Sequence, residues 1–225
     1  MKPEKFVSEI ETVLKQNANA ENAVAMSKYM KDLFPYYGIK KPLRTQLTKP
    51  LMLNVKKDIT EDWIMEAAAL LWKKKQREFH YVAMDLLNMN RKVITPKSFK
   101  ALENLVLKNS WWDSVDSLSN YAISPLVLRY PELKKEMKHF AQQDNMWLKR
   151  VSIIHQLPYK TKTDWLFLMD VCKRHMHDKE FFIRKAIGWA LRQHAKTDPK
   201  AVYAFVEANK AKLSNLSIRE ALKHK

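Results

Sequence analysis

Only two of the 225 residues are glycine, Gly38 and Gly188. A chain this poor in glycine is badly suited to two-residue β-hairpin turns, which favour glycine for its access to positive φ. The same scarcity excludes the P-loop and the dinucleotide-binding fingerprint. Both need several glycines within a few residues so that the backbone can turn tightly and approach phosphate. The expectation is therefore helical, and apolar residues recur at helical spacing along nearly the whole chain, punctuated by Pro, Asn, Asp or Lys-rich breaks.

That periodicity predicts about a dozen helices, near 3–16, 20–34, 42–55, 60–73, 77–90, 96–108, 111–129, 131–142, 146–157, 163–175, 178–195, 198–209 and 216–224. Pro42, Pro96 and Pro131 suit a first helical turn, where a missing N–H loses no partner. Thr60 with Asp62, and Thr163 with Asp164, put a cap and an acid where the helix dipole favours them. Short connections between helices of similar length imply antiparallel neighbours. Taken in pairs the helices repeat at roughly 35 residues, within the range of helical-repeat solenoids, although no strict repeat consensus is visible. "EFHYVAMDLL", "WLKRVSIIHQL" and "FFIRKAIGWAL" read as variants of one theme. A curved solenoid binds partners on its concave surface. No Gly/Ser-rich linker divides the sequence, so residues 1–225 are expected to form a single domain.

Charge points to the partner. Lys and Arg number 41 against 24 Asp and Glu, a net charge of +17. Such an excess suits a polyanion, most often nucleic acid. Apolar content of 46% argues against disorder, and no apolar run approaches the ~20 residues that cross a bilayer. The opening "MKPEKFVSEIETVL" carries acids within its apolar periodicity, unlike a signal or transit peptide. A lone cysteine, Cys172, excludes a disulfide framework and suits a reducing cytosol.

The candidates for chemistry sit at the edges of apolar faces. In "NSWWDSVDSL" (109–118), Trp111, Val115, Leu118 and Ala122 fall on one helical stripe, with Trp112 and Asp116 an i, i+4 pair on its shoulder. The acids also have an ordinary reading, with Asp113 as N-cap and Asp116 near the position of a capping-box acid. On 181–193, Lys185 and Arg192 share an exposed strip and Trp189 lies between that strip and the apolar arc. Gly188 beside it leaves room for a neighbouring helix. Cations on phosphate with an aromatic face on base or sugar is a nucleic-acid arrangement, and a tryptophan at the edge of a core is the alternative. Arg150 projects from within the apolar arc of "MWLKRVSIIHQL", so it must bind phosphate from a cleft or form a buried ion pair. Cys172, His175 and His177 lack a second ligand pair and read as a helix end, so no metal is expected. The Lys-rich "LWKKKQRE" and "KTKTD" read as solvated turns, open to phosphate contact.

"KNSWWDSVDS", "DNMWLKR", "EFFIRKAIGWALR", "AKTDP" and "SKYMKDLFPYYGIKKPLR" together resemble the AlkD-like DNA alkylation-repair glycosylases, over nearly the whole chain. The resemblance implies an all-α, right-handed superhelical solenoid of HEAT-like antiparallel helix pairs. It also implies hydrolytic release of cationic N3- and N7-alkylated purines (3-methyladenine, 7-methylguanine) from duplex DNA, by a monofunctional glycosylase of base excision repair. By motif position the essential acid falls on Asp116, the cleft tryptophans on Trp112 and Trp189, the cleft arginine on Arg150 and a further cleft aromatic on Tyr29. Arg150, Lys185 and Arg192 are expected to hold backbone phosphate. The pattern departs at Lys40, where the family commonly has glutamine, and at Thr45, where a basic residue is usual; Lys40 remains among the expected DNA contacts. No cofactor and no membrane are implied, and a cytoplasmic monomer, nucleoid-associated when bound to alkylated duplex DNA, is expected. The rival from another class is a non-catalytic helical-repeat module that binds nucleic acid or an acidic protein.

Overall fold

Several helix starts fall where the sequence supplies an acceptor for otherwise orphaned backbone N–H groups. Asn19 Oδ1 accepts from the Asn22 N–H, Thr60 Oγ1 from Trp63, Asn145 Oδ1 from Trp147 and Leu148, and Asp164 Oδ1 from Phe167. Asp198 and Ser214 do the same for Ala201 and Ser217. The computed structural model describes residues 1–56 and 59–223, and no strand occurs among them. The helices are α1 (Pro3–Gln16), α2 (Ala20–Tyr29), α3 (Lys41–Val55), α4 (Glu61–Trp72), α5 (Arg77–Met89), α6 (Phe99–Leu107), α7 (Trp112–Leu118), α8 (Ser124–Arg129), α9 (Lys134–Phe140), α10 (Met146–Ile154), α11 (Trp165–His175), α12 (Phe181–Ala195), α13 (Pro199–Ala208) and α14 (Asn215–Ala221). None is long and apolar enough to cross a membrane.

The chain divides into two compact units, 1–101 and 102–225. In the first, α1 and α3 pack on α4 and α5, with Phe6, Ile10 and Leu14 of α1 and Ile64, Ala68 and Leu71 of α4 fully buried. Each of these side chains other than Ala68 contributes about 1.5–3 kcal/mol of burial free energy. In the second, α9, α11 and α13 each pack on the helix that follows, and those followers (α10, α12, α14) lie side by side with α7 at the near end.

Three departures from the sequence expectation have local causes. The helix expected over 20–34 stops at Tyr29, and Lys31 and Asp32 turn to φ 60° and 57°. Pro35 disfavours helical backbone at the residue before it, which opposes a helix running on to 34. The expected 111–129 helix is broken. A π-helical turn over 119–123 separates α7 from α8, and the Ser124 N–H bonds the Ser119 carbonyl. Pro125 has no N–H to give the Tyr121 carbonyl, so the bonding shifts by one residue. The segments expected at 96–108 and 131–142 open as single 3-10 turns over Pro96–Ser98 and Pro131–Leu133. Residue 224, the end of the expected last helix, lies outside the described residues.

Gly38 is fixed by geometry. Its φ is +86°, and a Cβ there would lie 2.0 Å from the Asn19 carbonyl oxygen and 2.6 Å from the Ala23 nitrogen. The turn it makes is held by buried Glu78, which accepts from the N–H groups of Tyr37, Gly38 and Ile39 at 2.9–3.1 Å. Gly38→Ala should therefore cost roughly 2–4 kcal/mol, from backbone strain plus a collision that no rotamer relieves. Denaturant unfolding measures this, and a cost under about 0.5 kcal/mol would mean that the turn reorganises freely.

Candidate active site in the second unit

Helix α7 is short and its start is unusual. Trp111 occupies the N-cap in extended backbone, and Ser114 three residues on accepts from its N–H at 3.3 Å. The reading of Asp113 as N-cap is thus corrected: it lies in the first turn, where its charge complements the helix dipole. Nor is Asp116 a capping acid. Its carboxylate faces α10, where Arg150 meets it with two parallel hydrogen bonds, Nε to Oδ1 at 2.7 Å and Nη2 to Oδ2 at 2.8 Å. The third guanidinium nitrogen, Nη1, donates to the Phe182 carbonyl of α12 at 2.5 Å.

Of the two roles open to Arg150, phosphate binding or a buried pair, this geometry is that of the buried pair. Arg150 is 3% exposed. Its planar fork matches both carboxylate oxygens at once, which no lysine could do. The Asp116 side chain keeps 16% of its surface open, and each oxygen retains acceptor capacity beyond its one bond to arginine. Burial pushes the Asp116 carboxyl above the usual aspartate range. The Arg150 hydrogen bonds and charge pull it back, and Asp113 adds a smaller upward push.

An aromatic cluster supports the pair. Trp111, Trp147 and Phe182, from the starts of α7, α10 and α12, meet with ring centroids 5.1–5.9 Å apart. The Arg150 guanidinium carbon lies 5.9 Å from the Phe182 ring centre, at the outer limit of a cation–π contact. Trp112 stands one turn before Asp116 on α7, and Trp189 one turn after Lys185 on α12; both are half-buried.

Lys185 and Arg192, expected on an exposed strip, both turn to one acid of α14. Glu220 Oε1 lies 2.6 Å from Lys185 Nζ and Oε2 lies 2.5 Å from Arg192 Nη1. Those two cations hold the Glu220 carboxyl below its usual range, Lys185 contributing most, against an opposing effect of burial. The approach depends on Gly188, as a Cβ there would lie 2.4 Å from that of Glu220 and 2.8 Å from the Ser217 carbonyl oxygen.

Tyr29 and Lys40 belong to the first unit. Tyr29 ends α2 with 71% of its surface exposed, and Lys40 is the exposed N-cap residue of α3. Cys172 is fully buried, and burial pushes its thiol up to about 12. No group of three or more His, Cys, Asp or Glu that could hold a metal ion occurs among the described residues.

Glu220 and Phe182 were missed as site residues by sequence reasoning, yet a signal existed. The two ion pairs span 34 and 35 residues, Asp116 with Arg150 and Lys185 with Glu220. Both separations equal the repeat period, so equivalent positions on successive second helices form the rungs.

Comparison with known proteins agrees with this architecture. A family model described as DNA alkylation repair enzyme matches residues 10–224. A solved structure described as a predicted DNA alkylation repair enzyme from Enterococcus faecalis is 32% identical, with a TM-score of 0.85 over 92% of this chain and 96% of that one. AlkD2 from Streptococcus mutans, at 16% identity and a TM-score of 0.59 over 78% of this chain and 85% of its own, shares the fold. No curated protein sequence matches the chain. With the family model matching residues 10–224 and a relative covered almost end to end, the chain belongs to the DNA alkylation repair enzyme family.

Proposed function

We propose that the protein is a monofunctional DNA glycosylase that hydrolyses the N-glycosidic bond of cationic N3- and N7-alkylated purines in duplex DNA. The observation that carries this reading is the carboxylate of Asp116, gripped by Arg150 from one side and partly open on the other. A surface that merely binds polyanion gains nothing from such an acid, whereas this hydrolysis requires one.

The chemistry follows from the charge of the lesion. An alkylated N3 or N7 purine is already cationic, so its bond to C1′ breaks with the electron pair going to the base, which departs neutral. No general acid is needed to activate it. Positive charge develops on the sugar instead, and a fixed carboxylate beside that charge stabilises the transition state without having to reorganise. The same carboxylate orients a water whose oxygen bonds to C1′ and whose proton passes to Asp116. Trp112 and Trp189 offer π faces to a cationic nucleotide, worth about 0.5–2 kcal/mol each. Lys185, Arg192, Tyr29 and Lys40 contact the DNA, and Arg150 acts by aiming and charging Asp116. The enzyme works in the cytoplasm as a monomer and needs no cofactor.

The test is release of free base. Incubated with duplex DNA treated with a methylating agent, the protein should liberate 7-methylguanine and 3-methyladenine, measured by chromatography, and leave an abasic strand uncut. Tight binding of the duplex with no base released would favour the non-catalytic binding module instead.

A further inference from the structure

Resting on the proposed function, in which DNA is the substrate, Lys185 and Arg192 face backbone phosphate; in the DNA-free protein both are already paired. Glu220 engages Lys185 through one oxygen and Arg192 through the other, and the carboxylate-bearing side chain is 11% exposed while that of Lys185 is 39% exposed. We propose that Glu220 is a specificity-determining residue: its carboxylate stands where a phosphate would bind and withholds both cations from undamaged duplex.

The physics is an exchange of one anion for another. A phosphate oxygen arriving at Lys185 or Arg192 must replace a carboxylate oxygen already at hydrogen-bond distance, so the pairing energy gained is largely pairing energy lost. A lysine that stays paired with its own acid also neutralises no phosphate, and so displaces none of the cations condensed on the DNA. It therefore adds little to the counterion release that drives non-specific binding. Once displaced, Glu220 would lie close to the incoming phosphate and repel it. Its Cβ cannot retreat easily, because α14 is seated on Gly188 of α12 and the Ser217 hydroxyl donates to the Arg184 carbonyl at 2.9 Å. A complex with further contacts to a lesion can meet the cost of that displacement. Undamaged duplex, held by phosphate contacts alone, cannot.

The experiment is fluorescence anisotropy of an undamaged labelled duplex at several salt concentrations, with thermal unfolding confirming that each variant is folded. Glu220→Gln should bind about fivefold tighter or more, with a log–log salt slope steeper by ~1–2. The control is Glu207→Gln on α13, an exposed acid with the same change of net charge. It should gain less than about twofold through screened long-range attraction. Glu220→Asp keeps the charge but shortens the reach, so it should also bind about twofold tighter or more because one carboxylate can no longer serve both cations. Should the glutamine variant fail to fold, this variant decides. Binding by the Glu220 variants no tighter than the Glu207 control overturns the proposal. Weaker binding also overturns it, and would make Glu220 a positioner of the two cations. Since only undamaged duplex is used, a wild type that binds DNA but releases no base would refute the glycosylase reading and leave this answer standing.

Discussion

Asp116→Asn is expected to slow single-turnover release of 7-methylguanine from duplex DNA by ~100-fold or more, while duplex affinity changes less than about threefold. Asparagine preserves the shape of the side chain and removes the charge that, in the proposed mechanism, stabilises the developing sugar cation. It also presents an amide N–H₂ to one arm of the Arg150 fork, a donor facing a donor, so a stability loss of about 1–3 kcal/mol should accompany the change. Rates should be compared well below both melting temperatures so that unfolding does not masquerade as lost chemistry. Wild-type activity should fall on the acid side as Asp116 takes up its proton. Because burial outweighs Arg150 in setting this carboxyl, the inflection should lie above the usual aspartate range. Undiminished base release by the asparagine variant would remove Asp116 from the mechanism.

The second large effect is expected at Arg150. Arg150→Ala leaves a half-buried carboxylate without its partner and the Phe182 carbonyl without its donor. Breaking a buried pair costs ~3–5 kcal/mol, and the solvent still open to Asp116 lowers the expectation to about 2–4 kcal/mol. For a chain of this size the Tm should fall by roughly 5–15 °C. With the arginine's downward pull gone, the Asp116 carboxyl rises further, so the acid limb of the rate profile should move to higher pH. The salt dependence of duplex binding should not change, because the guanidinium already serves a carboxylate and a carbonyl. A salt slope shallower by about one phosphate's worth, with no loss of stability, would instead make Arg150 a DNA ligand.

How much of this was legible in the sequence depended on the range of the interaction. Helices follow from the spacing of apolar residues, and Thr60 announces its own cap because that interaction closes within three residues; at the start of α11 the cap is Asp164 itself, not Thr163. The break after Leu118 was also written locally, in Pro125, but strong apolar periodicity on both sides hid it. Arg150 was recognisable as a misfit on an apolar arc; its partner was not, because a charge reveals that it needs a counterion without revealing which one. Lys185 and Arg192 were read as exposed cations for the same reason, with their acid in another helix. Asp113 and Asp116 looked alike on paper and were separated only by which of them faces α10. The resemblance to the AlkD-like family suggests the roles of Trp112, Trp189 and Tyr29; helix periodicity alone puts Trp112 and Trp189 at the edge of an apolar face and says nothing of Tyr29.

The bidentate grip on Asp116 has an evolutionary and engineering consequence. A buried ion pair can often be replaced by well-packed apolar side chains of similar volume with no loss of stability, or with a gain. A search for stabilised variants would therefore be drawn to 116 and 150 together, as a coupled apolar swap that neither single change could reach without first orphaning a charge. Such a protein would be as stable or more so and, under the proposed mechanism, would release no base for want of a carboxylate to face the sugar cation. Under the proposed mechanism the pair serves repair rather than stability, so robustness and activity compete at this rung.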